Sequence, residues 1–505
     1  MSVFVGCDLG TMGTKAAVVD AGGRILGQAY EEVTLHTPRP GWVEQDLADI
    51  ERSAHRTLRA ALDQAGRPPR VAGVAFSGQM SGIGGIDGAF EPATRFDSWL
   101  DSRCERYVEA LAEHAERITT LAGCPPTYSH APKIAWWMHE RPDEFARIAR
   151  FVVPGAYVAS RLCGLGVVDA FIDRTYLHFS NLSDTASGRW STELLERTGI
   201  PVGVLPRIVD PLDIVGEVTS SSAVATGLPA GTPVAAGAGD QAAAALGAGV
   251  VQPGQAFDSS GTASVFAVCT DAFVPDPASR TFMATHSAIA GRFLSVAFMN
   301  GGGLALRWFR DEIAPTVPAG GDPYARLDAL AEAVEPGSGG LLWFPHFQGR
   351  VLPPLPSARG VWLGLTSGHG LAHLYRSQLE GIAYQYAAWA RGIADLGGTE
   401  LREARALGGG ARSALWNQIK ADVLGIDWVP TQRPESGVLG DAIIAAAATG
   451  HISDPAATAL EWQATRPAVR PDAARHARYS ELVDAFLVME RQLGPIFEQL
   501  PRGEP

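Results

Sequence analysis

Lysine is nearly absent from this 505-residue chain: Lys15, Lys133 and Lys420 stand alone among 41 basic side chains, and arginine supplies the rest. That bias reads as composition, not as function. Cysteine is sparse too. Cys7, Cys104, Cys124, Cys163 and Cys269 are scattered, odd in number and free of any CxxC pair. This argues against a disulfide framework or a thiolate metal site and suits a reducing compartment. Residues 1–10 lack a basic segment followed by a long apolar one, so no secretory signal is expected. No apolar run is long enough to span a bilayer, the Ala-rich stretch 442–448 being far too short. No GxxxxGK[ST] phosphate loop occurs. Positive charge is in deficit overall, at a net −13, which argues against nucleic acid or an anionic membrane as the main partner. The expected location is the cytoplasm. Any anionic ligand must be held by local devices: backbone N–H groups, a metal ion and a few cationic side chains.

What is present is an ordinary globular composition, 46% hydrophobic and 19% charged. The length exceeds what one core supports, so at least two domains are expected. Val3–Asp8 and Lys15–Asp20 read as strands joined by a Gly/Thr turn, and Arg24–Gly27 continues an antiparallel meander. A helix is predicted over about 46–65 with Asp46 as its cap, then a buried strand over Val71–Phe76. Strands alternating with helices indicate α/β layers. Gln255–Ser260, Gly261-Thr262 and Ala263–Val268 repeat the strand, turn and strand of the opening, so laying Gly261-Thr262 over Gly10-Thr11 gives one hairpin in each half. The join falls near 227–254. Residues 473–500 read as an amphipathic helix without a chemical signature.

Four segments carry chemistry. In Asp8-Leu9-Gly10-Thr11-Met12-Gly13-Thr14-Lys15 a tight turn can present successive N–H groups to phosphate oxygens. Gly10 permits close approach, Thr11 and Thr14 add hydroxyls, Lys15 adds charge, and Asp8 suits a hard cation such as Mg²⁺ through water. Ser259–Ser264, with Gly261 and Thr262 at its centre, offers a second cradle of the same kind. Two such hairpins facing each other would grip a triphosphate from both sides. Gly408-Gly409-Gly410 before a helix over 414–424 leaves room for a ring or ribose, with Asn417 one turn in. In Gly237-Ala238-Gly239-Asp240 a carboxylate follows a strand and opens an Ala-rich helix, where it is either an N-cap or a catalytic base. Both readings predict an ionised Asp240. Against each stands a plainer alternative: a polar hairpin, a Ser/Gly turn, a flexible loop, a cap.

Taken in order, these segments together with Gly78-Gln79-Met80, Ala131–Trp137 and Gly360–Leu365 resemble the FGGY carbohydrate kinases, xylulokinases in particular, over almost the whole chain. The resemblance implies two duplicated actin-like ATPase (ribonuclease H-like) α/β domains with a central cleft. Residues 1–245 would carry the sugar site, the first phosphate hairpin and the base. Residues 246–490 would carry the second hairpin and the adenosine pocket, and 491–505 would be a tail. It implies ATP and Mg²⁺ as cofactors and phosphoryl transfer to a hydroxyl of a small ketose or polyol. Asp240 would be the base, Asp8 and Asp240 the carboxylates organising Mg²⁺, and Thr11, Thr14 and Lys15 the first hairpin. Gly261 and Thr262 would be the second hairpin, and Gly409, Gly410 and Asn417 the adenosine pocket. Closure of two domains would exclude water. Assembly as a homodimer is left open.

On the sugar side the resemblance assigns Gln79, Met80, Ser81, Asp101, Tyr128 and Asp240. Here the chain departs from the family pattern: Ser81 stands where xylulokinases usually carry His, Leu100 replaces an Asn beside Asp101, and Asp169 and Asp173 interrupt a segment usually rich in small residues. Gln378 and Trp137 are further departures within the two signature segments. These leave open xylulose, another pentulose, a tetritol or a related polyol. A chaperone-type ATPase, or an actin-like protein that binds nucleotide without transferring phosphate, would lack the base.

Overall fold

The computed structural model describes residues 2–261, 263–315, 322–433 and 435–500. Chain contacts group it into two compact units, the first comprising Met1–Val251, Asp271–Leu294 and Glu435–Gln463, the second Gln252–Thr270, Ser295–Pro434 and Ala464–Pro505.

In the first unit β1 (Val3–Leu9), β2 (Gly13–Asp20) and β3 (Ile25–Glu32) form the expected antiparallel meander. The register sets Asp8 opposite Lys15 and Leu9 opposite Thr14. The Gly10 N–H then donates to the Gly13 carbonyl at 3.1 Å, closing the turn just beyond Asp8. β1 is apolar along its length because it is central: strand Val71–Gly78 pairs with it in parallel. Pro233–Ala235 and Ala238–Gly239 in turn pair in parallel with Val71–Gly78. Leu9, Gly78 and Gly239 fall in register, so three parallel strands end at one edge. Ligands of open α/β sheets bind at that edge. α1 (Leu47–Gln64) packs on β2 and β3, with the Asp46 carboxylate accepting from the Ala48 N–H at 2.8 Å as its cap.

The opposite face of this sheet is covered by helices Asp240–Gly247 and Ser436–Ala448. Both are built of alanine, glycine and aliphatic residues, and the glycines set how closely they approach. A Cβ on Gly6 would stand 2.0 Å from the Val438 carbonyl oxygen, and one on Gly440 would stand 2.0 Å from that of Ala243. Residues 438–446 therefore belong by packing to the first unit's core, beside Phe4, Ala17 and Ala75. By packing, the first compact unit takes up residues 435–463 as well, which lie beyond the cut at 245/246. Nor do residues 491–505 begin as a separate tail: helix Ala473–Gln499 runs through 491 and buries Leu493 and Phe497.

In the second unit Gln255–Ser260 and Ser264–Thr270 form an antiparallel hairpin with Ser260 opposite Ser264. Gln255–Ser260 then pairs in parallel with Glu403–Leu407, itself parallel to Asp427–Pro430. A hairpin whose first strand acquires a parallel neighbour is the arrangement that opens the first unit, so the duplication predicted from two Gly-Thr turns is present in the strand pairing. Helix Ala414–Leu424 follows Glu403–Leu407, within the bounds expected, and Ser413 caps it through the Trp416 N–H.

Candidate active site

The edge where three parallel strands end gathers carboxylates. Asp8 lies one residue before the end of β1, and Asp240 follows Gly239. Two more join them: Asp441 on the helix Ser436–Ala448, which the sequence did not single out, and Asp173, named there as a departure from the family pattern. Burial first, then the joint field of Asp173, Asp240, Asp8 and Asp441, raises the pKa of the Tyr176 phenol well above the usual value. Its hydroxyl donates to the Gly78 carbonyl at 2.8 Å, which places this cluster at the strand ends.

Asp240 occupies the first turn of its helix and is not the cap, which is Gly239. The cap position therefore does not set its ionisation. Burial, then the negative charge of Asp8, push its pKa up to about 7. Its Oδ1 is sealed from solvent and has no partner among the described residues, while the side chain as a whole keeps some exposed surface. Asp173 and Thr175 fix the backbone that delivers it: the Thr175 hydroxyl donates to Asp173 Oδ1 and accepts from the Gly239 N–H at 2.8 Å. Asp173 is itself buried, its pKa raised to about 7 by that burial.

Asp8 is likewise raised, by burial, with Lys15 opposing the shift. The Lys15 ammonium is 2.8 Å from Glu435. The Ser77 hydroxyl lies 3.3 Å from Asp8 Oδ1 and 2.8 Å from Asp441 Oδ2. One hydroxyl proton serves only one of the two oxygens. Burial first, then Asp8, hold the Asp441 carboxyl well above the ordinary carboxylate range. Among the described residues no three His, Cys, Asp or Glu side chains converge to hold a metal ion unaided. Two mutually repelling carboxylates, one with an unpartnered oxygen, nonetheless suit a hard cation that brings most of its ligands as water and phosphate.

The other predicted residues divide. The Thr14 hydroxyl is buried and 2.6 Å from Ser53 Oγ of α1, so it supports the hairpin from within and offers nothing to a phosphate. The Thr11 hydroxyl accepts from Trp99 Nε1 at 2.8 Å and donates to Gln79 Oε1 at 3.3 Å; Gln79 passes a hydrogen bond to Gln45 Oε1, whose amide N–H returns to the Thr11 carbonyl. Thr11 and Gln79 thus stiffen the Gly10–Gly13 turn through side chains, and the turn is left with backbone groups to offer. Met80 packs against Gly239: a Cβ there would meet its sulfur at 2.6 Å. Ser81 adopts φ +65° and donates to the Tyr128 carbonyl at 3.1 Å. The same carbonyl accepts from buried Lys133. The Tyr128 hydroxyl donates to Glu105 at 3.4 Å. Asp101 is a correction. Fully buried, it accepts from the Val43 N–H at 2.6 Å and from the Arg103 guanidinium at 2.7 and 2.9 Å, so its role is to hold its own loop and not a sugar.

In the second unit Gly261 is exposed, its N–H turned inward to Ala263 O at 3.0 Å; Thr262 lies outside the described residues. Gly408 takes φ +70°, Gly409 is exposed, and Gly410 sits so close to Ser260 that a Cβ would stand 2.8 Å from the serine's. Asn417 is buried and donates its amide to the Ala411 carbonyl at 2.9 Å, which staples the glycine turn to the helix. The expected hydrogen bond from Asn417 to adenine is therefore not on offer: its Oδ1 is sealed within the protein.

The chain thus has two α/β units, each with a glycine-bearing hairpin, and interacting carboxylates at the strand ends of the first. Sequence comparison assigns it further. Residues 3–247 match the FGGY family of carbohydrate kinases, N-terminal domain, and residues 257–449 match its C-terminal domain. Over 504 residues the chain is 28% identical to a xylulose kinase of Escherichia coli, covering 98% of this chain and 100% of that one. It is 32% identical to a glycerol kinase of Methylibium petroleiphilum over 493 residues, 92% of this chain and 94% of the other. The crystal structure of a xylulose kinase from Rhodospirillum rubrum superposes with a TM-score of 0.89 at 30% identity, covering 98% of this chain and 99% of that one. The chain belongs to the FGGY family of carbohydrate kinases, with that family's two-domain actin-like fold, and is an ATP-dependent sugar kinase. Among the described residues no helix is long and apolar enough to cross a membrane.

Proposed function

We propose that the protein transfers the γ-phosphoryl group of ATP to a hydroxyl of a small ketose, xylulose first, with Asp240 as general base. The carrying observation is the Asp240 carboxyl: at the end of a parallel strand, one oxygen sealed and unpartnered, its pKa lifted to about 7. A base is most effective when its pKa lies near the working pH. Asp240 would take the proton of the acceptor hydroxyl as that oxygen bonds to the γ-phosphorus. The bond from phosphorus to the β,γ-bridging oxygen breaks, and ADP leaves with its electron pair. Asp8 and Asp240 would organise a magnesium ion carried with the triphosphate; when bound, the ion supplies neutralisation of phosphate charge. The Gly10–Gly13 turn, with Lys15 beside it, and Gly261 with Gly408–Gly410 are the proposed backbone contacts to the nucleotide. Met80 borders Asp240's strand end through Gly239, and Ser81 follows it on the proposed sugar side. Because the Ser81 hydroxyl turns to the Tyr128 carbonyl, the pocket lacks a hydrogen-bonding ring at that position, and another pentulose, a tetritol or a polyol is the second reading.

The test is ADP release with a panel of ketoses, tetritols and polyols, glycerol included, followed across pH for the best acceptor. One acceptor should stimulate strongly. Since the base must be ionised, kcat/KM should fall about tenfold per pH unit below about 7 and level off above it. Asp240→Asn should abolish transfer and keep nucleotide binding. Near-normal turnover in that variant would remove Asp240 from the reaction. Stimulation by a polyol and not by xylulose would select the second reading.

A further inference from the structure

One buried ion pair in the second unit has no part in the chemistry above. Lys420, on helix Ala414–Leu424, is 0% exposed and paired with Asp258 of strand Gln255–Ser260. The ammonium also donates to Ser260 Oγ at 3.2 Å and stands 3.5 Å from the ring centroid of Trp416, with Trp428 and Tyr386 at 5.2 and 5.4 Å. Asp258 Oδ1 accepts from Ser260 Oγ at 2.6 Å and from the Tyr386 hydroxyl at 2.8 Å. Every donor and acceptor of the pair is therefore aimed. In a chain with three lysines among 41 basic residues, one of them stands here, its compact ammonium among three aromatic rings.

Two places proposed to touch the nucleotide are joined at this pair. Ser260 is the last residue before Gly261. Gly410 abuts Ser260 on one side and Trp416 on the other, at 2.8 and 2.9 Å from where its Cβ would be. We propose that Lys420 and Asp258 are positioning residues for the nucleotide: through Ser260 and Trp416 they fix the Gly261 turn and the Gly408–Gly410 loop in one arrangement. A buried ion pair adds little net stability over apolar residues of the same volume, and what it can add is a unique geometry. The inference rests on the reading of those two glycine segments as nucleotide contacts.

The experiment measures ADP affinity by calorimetry, with Mg²⁺ present, on the full chain. Thermal unfolding is followed in parallel. Ser260→Ala leaves the ion pair in place and cuts its link to the turn. The double variant Lys420→Met with Asp258→Leu replaces the pair by apolar volume. Gly410→Ala probes the loop itself. Ser260→Ala and the double variant should each weaken ADP binding threefold or more, with Ser260→Ala unfolding within a few degrees of the unaltered protein. A merely structural pair would lower the unfolding temperature and leave affinity alone. If Gly410→Ala weakens ADP binding while Ser260→Ala changes it less than threefold, the inference is overturned and the nucleotide reading stands. If Gly410→Ala also leaves ADP binding unchanged, the nucleotide reading of that loop fails, and the inference with it.

Discussion

A single hydroxyl proton decides the electrostatics of the carboxylate cluster. Ser77 stands between Asp8 and Asp441; if Asp441, pushed up by burial and then by Asp8, holds a proton, it can donate to the serine and free the serine proton for Asp8. Asp441→Asn keeps a neutral N–H donor at that place and should retain activity within about threefold. Asp441→Leu leaves the serine hydroxyl without that partner; loss of a buried hydrogen bond of about 1–3 kcal/mol corresponds to roughly a 5–150-fold fall in kcat/KM. Steady-state kinetics of the two variants decide it, and equal impairment of both would refute the proton arrangement. Asp8 and Asp240 stood out in the sequence because each lies at a strand end beside glycines, Asp8 before a glycine turn and Asp240 after Gly237 and Gly239. Asp441 did not: it sits inside an Ala-rich run, more than 350 positions from Ser77, and only the fold brings the two together. Which threonine of the first hairpin turns inward was also hidden, since the Thr14 contact depends on where α1 places Ser53.

The helices over the first unit's sheet are held at contact distance by missing side chains. A Cβ on Gly440 would stand 2.0 Å from the Ala243 carbonyl oxygen, whereas one on Gly203 would meet nothing within 4 Å. Gly440→Ala must push a backbone carbonyl aside and should lower stability by about 1–3 kcal/mol or more; Gly203→Ala should change it by less than about 0.5 kcal/mol. Denaturant midpoints compare the two directly, and equal midpoints would contradict the packing described. Hairpins, caps and the helix over 414–424 followed from local pattern: turn residues, a capping aspartate, apolar spacing. Pairing partners did not, because the parallel neighbours of β1 and of Gln255–Ser260 lie far along the chain and carry no local mark.

At the scale of the molecule, the decisive fact is that the first unit is assembled from three stretches of chain. Phe4, Ala17 and Ala75 are covered by Val438, Leu439 and Ile443, which a fragment ending at Val251 lacks. Residues 1–251 expressed alone should expose that apolar face, bind a hydrophobic dye and lose a cooperative thermal transition. A cooperative melt and no dye binding in the fragment would show that the covering helix is dispensable. The sequence suggested two successive domains, since motif order says nothing about a return crossing.

That return has a consequence during synthesis. At about 5–20 residues per second, some 10–40 s separate the emergence of Val251 from that of Gln463, where the first unit's last stretch ends. Throughout that interval the nascent chain carries an uncovered sheet face, so its burden on cellular chaperones should be set by translation speed across the middle of the message more than by the stability of the finished enzyme.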